Sequence, residues 1–186
     1  MSFSTFQIYL RAFFPHVPLW HWIDLVILAI AVMTITLIRK RNSVYGAVVL
    51  GLAVALGLAL LDALVFIRIG GQHKLHPGID LGAEWQRLTS DNEEILILML
   101  FNAAVFIPFG MAVEEAFAAK NVFSRWKCLG FVALIAFALS LCIESLQLVL
   151  HIGMFEVTDL VLNTVGAVLG GALAFGIRRI LTINHV

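Results

Sequence analysis

Residues 128–150, "CLGFVALIAFALSLCIESLQLVL", form one of five apolar runs that constrain this chain more than any other feature. A helix crossing the hydrocarbon core of a bilayer needs about 18–20 consecutive, mostly apolar residues. Runs of that kind cover about 20–38, 44–69, 94–117, 128–150 and 157–177. Composition agrees: 61% of the residues are hydrophobic and 13% charged, with a mean hydropathy of +1.00. A soluble domain holds roughly 45–50% apolar and about 25% charged residues. The predicted fold class is therefore all-α, a polytopic transmembrane helix bundle with about five spans. Neither a repeat nor a second domain is visible, so residues 1–186 read as a single membrane domain.

Net charge is zero, with 12 basic and 12 acidic residues, so only the distribution of charge is informative, and nothing suggests a nucleic-acid partner. Arg39, Lys40 and Arg41 fill the turn after the first run. Lys120, Arg125 and Lys127 fall between the third and fourth, and Arg178 and Arg179 close the fifth. Asp80, Glu84, Asp91, Glu93, Glu94 and Glu156 crowd the alternate connections. Basic loops stay in the cytoplasm, which predicts the N-terminus outside, the C-terminus inside and an external 70–93 loop. Residues 1–18 carry Phe3, Phe6, Leu10 and Phe13 at helical spacing before Pro15 and Pro18, as an interfacial segment would. Ile79 to Leu88 could form a second interfacial helix, and Ser90 with Glu93 reads as a capping box opening the third span.

Packing is signalled by small residues. Ala47, Gly51, Ala55, Ala59 and Ala63 recur at i+4 in the second span, and Gly166 and Gly170 do so in the fifth. Such stripes let helices approach closely in lipid. The two cysteines, Cys128 and Cys142, lie in one span about 21 Å apart along its axis, too far for a disulfide. No spacing suggests a metal site, and no cofactor is implied.

The polar residues within the spans collect in one layer. At 1.5 Å per residue, Asp62, Asn102, Glu144 and Asn163 fall about 9–12 Å below the outer ends of four different helices. Gln147 and Asp159 lie within about 5 Å of that surface. Glu144, Gln147 and His151 share a face at i, i+3 and i+7, and Asp159 and Asn163 share the face of Gly166 and Gly170. An ionised carboxylate facing lipid costs about 2.5–3.5 kcal/mol even on a lenient scale, so these groups should face one another inside the bundle. Such a layer either serves a ligand or holds helices together. Glu114 and Glu115, near the inner interface, are expected to be solvated.

"NAAVFIPFG" in the third span, "ESLQ" in the fourth and "FEVTDLVLNTVGAVLGG" in the fifth resemble the VanZ-like family of small bacterial membrane proteins. The region of resemblance is about 94–175. Matching positions are Asn102, Phe106, Pro108, Gly110, Glu144, Gln147, Asp159, Asn163, Gly166 and Gly170. Many family members carry an arginine where this chain has Met154. The resemblance implies a multi-pass protein of the bacterial cytoplasmic (inner) membrane, associated with teicoplanin resistance or envelope homeostasis.

Combined with the polar layer, it leads to three functional expectations. One is an outer-leaflet pocket for an amphiphile, a lipoglycopeptide antibiotic or a lipid-linked envelope precursor. Its binding residues would be Asn102, Glu144, Gln147, His151, Asp159, Asn163 and Asp62, with Pro108, Gly110, Gly166, Gly170 and Gly51 packing the helices. Another is an intramembrane enzyme acting on a lipid head group, with Glu144 and Asp159 as acid/base pair, although no nucleophile stands beside a base. The third is a non-catalytic accessory subunit. Membrane lipid is the surrounding partner in all three, and oligomeric state is left open.

Overall fold

The computed structural model describes residues 43–65, 78, 81–89, 93–119 and 124–183, with scattered positions between 23 and 34. The described residues define the helices α1 (Ser43–Leu64), α2 (Leu81–Leu88), α3 (Glu93–Ala119), α4 (Arg125–Val149) and α5 (Val157–Ile183). Four of them contain segments long and apolar enough to cross a membrane: Tyr45–Leu64, Met99–Ala119, Trp126–Val149 and Val157–Ile180. The described residues contain no strand. The chain is an integral membrane protein with an all-α fold. Of the expected first span, 20–38, the described positions between Ile23 and Thr34 are helical, and Val32 is buried in the core. Residues 1–18, the basic turn at 39–41 and the Ser90 cap lie outside the described residues.

α3 is the centre of the bundle. It packs most extensively on α5 and also meets α1 and α4. The core runs through Leu56 and Leu60 of α1, Phe106 and Phe109 of α3, Val132, Ala136 and Ile143 of α4, and Ala167 and Ala174 of α5. Phe106 and Phe109 meet edge to face with centroids 6.0 Å apart. Leu58, Leu100, Leu134, Val161 and Leu173 point outward, as side chains do where lipid replaces water.

The α3–α5 seam is made by glycines. A methyl group on Gly166 would lie 2.7 Å from the carbonyl carbon of Ala103, and one on Gly170 would lie 2.8 Å from that of Ile107. One on Gly110 would lie 2.5 Å from that of Ala167. Glycine Cα atoms thus sit directly against the facing carbonyls, a geometry that favours Cα–H···O contacts between helices. Pro108 lies inside α3 between these contacts. Its ring cannot donate to the carbonyl four residues earlier, and that residue, Ala104, is on the exposed side.

Gly51 departs from its expected packing role. It is exposed, and among the described residues nothing would lie within 4 Å of a methyl group added there. The buried face of α1 is instead Tyr45, Val49, Ala53, Leu56, Leu60 and Ala63. Helical phase explains the difference: that series advances by three or four residues and tracks the 3.6-residue turn, whereas a strict i+4 stripe drifts around the helix. Only its far end, at Ala59 and Ala63, reaches the core.

Candidate functional site

The end of the bundle where α4 turns into α5 carries the polar layer. α4 stops at Val149 in a Schellman motif. The Ile152 N–H donates to the Gln147 carbonyl at 3.0 Å, and the His151 N–H donates to that of Leu148 at 3.2 Å. His151 occupies the left-handed position that glycine usually fills, with φ 58°. It therefore leaves the helix before reaching the i+7 position expected for it, and its exposed ring lies 3.0 Å from the Val149 carbonyl through Nδ1. The expected grouping of His151 with Glu144 and Gln147 on one helical face is corrected accordingly.

The other members sit inside. On α4, Ser140, Glu144 and Gln147 are all buried and occupy one face at i, i+4 and i+7. Glu144 Oε2 accepts the Glu156 backbone N–H at 3.0 Å, so it caps the start of α5. Gln147 Nε2 donates to the Leu64 carbonyl at 3.2 Å, joining α4 to the end of α1. Gly153 packs beside it, and a methyl group there would lie 2.8 Å from Gln147 Oε1 and displace the amide. On α5, Asp159 Oδ1 accepts from Asn102 Nδ2 of α3 at 2.7 Å. One turn deeper, Asn163 Nδ2 donates to Ser140 Oγ at 2.9 Å. Asn102 and Asp159 thus link α3 to α5, Asn163 and Glu144 link α4 to α5 and its start, and Gln147 links α4 to α1. Asp62 is half-buried on α1, two residues before the Leu64 carbonyl that receives Gln147.

Glu84, read from sequence as an external loop acid, is a further member. It is 7% exposed, and its Oε1 accepts the Thr158 backbone N–H at 3.0 Å. α2 is thus folded over the start of α5, helped by the Phe155 N–H bond to the Gly78 carbonyl at 3.2 Å. Its apolar Leu81 and Trp85 face outward while Glu84 faces in. That is inverted for a water-facing helix but suits one lying at a membrane surface. Three carboxylates, from Glu84, Glu144 and Asp159, converge on the first turn of α5. Unsatisfied N–H groups and the positive end of the helix dipole favour anions at that place.

One atom stands out. Asn163 is 3% exposed, and its Oδ1 is buried without a hydrogen-bond partner among the described residues. In hydrocarbon an unmet polar group costs more than in a water-facing protein. The chemistry here is rich in acceptors and poor in nucleophiles: Ser140 Oγ is engaged by Asn163, and Cys142 is exposed on the outside of α4. Among the described residues no three His, Cys, Asp or Glu side chains are grouped to hold a metal.

A second polar cluster lies at the opposite end and corrects the expectation that Glu114 and Glu115 are solvated. They are 2% and 0% exposed. The Arg178 guanidinium grips Glu114 with both nitrogens, Nη1 to Oε2 at 3.0 Å and Nη2 to Oε1. Nη1 also reaches Glu115 Oε1 at 3.4 Å, and the Tyr45 hydroxyl donates to Glu115 Oε2 at 2.8 Å. The Phe175 ring lies 5.5 Å from the guanidinium carbon. A fork-to-fork pair of this kind is how a buried charge is tolerated away from water. A carboxylate pair in an apolar run was the visible signal, but the partners lie 63–70 residues away in sequence.

Comparison with known proteins adds identity. No solved structure matches the chain. The protein named VanZ from Enterococcus faecium is 38% identical over 74 residues, a stretch covering 39% of this chain and 40% of that protein. The chain thus spans about two fifths of the length of that relative. The family model described as VanZ/LLP1 matches residues 25–180, most of the chain and all of the seam and polar layer described above. The chain belongs to the VanZ/LLP1 family.

Proposed function

We propose that the polar layer at the α4–α5 turn binds the head group of an amphiphile, and that binding contributes to glycopeptide resistance or envelope homeostasis. The observation that carries this reading is Asn163 Oδ1, a buried acceptor with no partner among the described residues, set among helices held by matched bonds. A purely structural network would be expected to close on itself. Glu84, Glu144 and Asp159 surround the same helix start, so the site is rich in acceptor oxygens. Amide N–H, hydroxyl and ammonium groups fit it, and the surrounding apolar helices suit an attached hydrocarbon chain. Lipoglycopeptides and lipid-linked envelope precursors both combine those features. Charge alternation in the connecting loops favours placing this end in the outer leaflet.

The test is teicoplanin susceptibility in a bacterial strain expressing either the native chain or Glu144→Gln, with membrane protein levels matched. Glutamine can still accept the Glu156 N–H through its oxygen, so folding should be retained while the anionic acceptor is lost. The proposal expects protection to disappear at unchanged protein level. Full protection by Glu144→Gln would remove the carboxylate from the function.

A further inference from the structure

A separate feature occupies the other half of the bundle. α1 and α4 are tied at the turn end by the Gln147–Leu64 bond at 3.2 Å. Halfway down they come close once more, where a methyl group on Gly57 would lie 3.9 Å from Leu139. Below that level they diverge and leave a crevice of about 360 Å³ floored by α3. Its walls include Leu50, Val54 and Leu58 on one side and Ile135 and Leu139 on the other, with Phe109 and Phe117 at the base. The α1 wall is turned outward, Val54 and Leu58 being 55% and 61% exposed, whereas Ile135 and Leu139 are partly buried. The crevice therefore opens sideways into the membrane.

Its dimensions suit a single hydrocarbon chain. From Leu50 to Leu58, and likewise from Phe109 to Phe117, eight helical steps span about 12 Å. One leaflet contributes about 15 Å of hydrocarbon, half of the ~30 Å core. The volume lies at the lower end of the roughly 300–1,000 Å³ found for ligand pockets. A charge lies beyond the crevice towards the Arg178 end: on α4, Phe131 is one helical turn from Ile135, and Lys127 is one turn further. Phe131 packs on Phe117 with ring centroids 5.6 Å apart, and Lys127 above it is exposed. Trp126 beside it is 82% exposed, as an aromatic at a membrane–water boundary would be.

We propose that this crevice seats one acyl chain of an anionic phospholipid from the leaflet at the Arg178 end, with Lys127 pairing with the head-group phosphate. This site is distinct from the polar layer and independent of what that layer binds. The purified full-length chain, titrated with phosphatidylglycerol or phosphatidylcholine, can be examined by native mass spectrometry. One phosphatidylglycerol per chain should survive release from the micelle, in preference to phosphatidylcholine.

Lys127→Glu should weaken phosphatidylglycerol about fivefold or more, the scale expected for one lysine near an anionic lipid surface, and leave phosphatidylcholine unchanged. Gly57→Leu should block the crevice. Should that variant fold poorly, Val54→Phe narrows the same space from a wall that faces outward. Equal retention of both lipids, or undiminished phosphatidylglycerol on folded Val54→Phe, would overturn the proposal. Efficient disulfide-linked dimers of a Leu58→Cys variant in native membranes would also overturn it, by assigning the crevice to a second copy of the chain.

Discussion

Replacing Gly166 by alanine should loosen the α3–α5 seam and, with it, the polar layer above. The added methyl would lie 2.7 Å from the Ala103 carbonyl carbon, whereas carbon atoms pack at about 3.5–4.0 Å. The obstacle is backbone, so relief requires the helices to separate locally by about 1 Å. Asn102 adjoins Ala103, and its 2.7 Å bond to Asp159 would stretch towards a length at which a hydrogen bond no longer counts. Overpacking of this sort costs about 1–3 kcal/mol. Loss of one hydrogen bond within a membrane adds about 0.6 kcal/mol, and alanine's better helix propensity returns about 0.5–1 kcal/mol.

The net destabilisation is therefore about 1–3 kcal/mol. Gly57→Ala is the matched control, because its methyl would meet Phe109 at 3.4 Å and Leu139 at 3.9 Å, distances that need no backbone movement. Unfolding of both variants in mixed micelles, followed by circular dichroism, gives the comparison. Equal stability of Gly166→Ala and Gly57→Ala would refute the claim that backbone contact holds this seam.

Arg178→Met should destabilise the bundle by about 3–5 kcal/mol, since it leaves buried carboxylates without their cation; adding Glu114→Gln should restore part of the loss in the same unfolding assay. His151→Gly should raise stability by up to about 1–2 kcal/mol, by removing the side chain from a left-handed position that favours glycine, and a lower melting temperature would show that the imidazole contributes a contact of its own. A Ser90→Cys variant lacking Cys128 and Cys142 should react with an impermeant thiol reagent on intact cells, and labelling only after lysis would reverse the orientation.

Legibility from sequence followed the range of the interaction. Spans and the Gly166–Gly170 face were readable because hydropathy and helical spacing are local properties. That Asn102, Glu144, Asp159 and Asn163 face into the bundle followed from the cost of exposing such groups to lipid, and depth put Asn163 level with Glu144. The Asn102–Asp159 pair was not legible, because counting residues set the two at different depths. His151 was misplaced because a Schellman turn does not require glycine, so the sequence carries no stop signal at that point. Gly51 was misplaced because an i+4 stripe says where small residues are, not which face meets a neighbour. Glu114 and Glu115 lie near a span end, where sequence alone predicts solvation, and Glu84 reads only as an acid of the external loop. Their burial depends on partners in α5 and, for Glu115, in α1. Such partners become neighbours only once the bundle closes.

The most direct test of the polar layer as a ligand site is an experimental structure of the protein extracted with its native lipids, with density inspected between α3, α4 and α5. The account predicts a non-protein group donating to Asn163 Oδ1, with Glu144 still bonded to the Glu156 N–H. A layer in which Asn163 Oδ1 is met by a protein donor, with the space between the helices filled by side chains alone, would contradict it and leave a purely structural network.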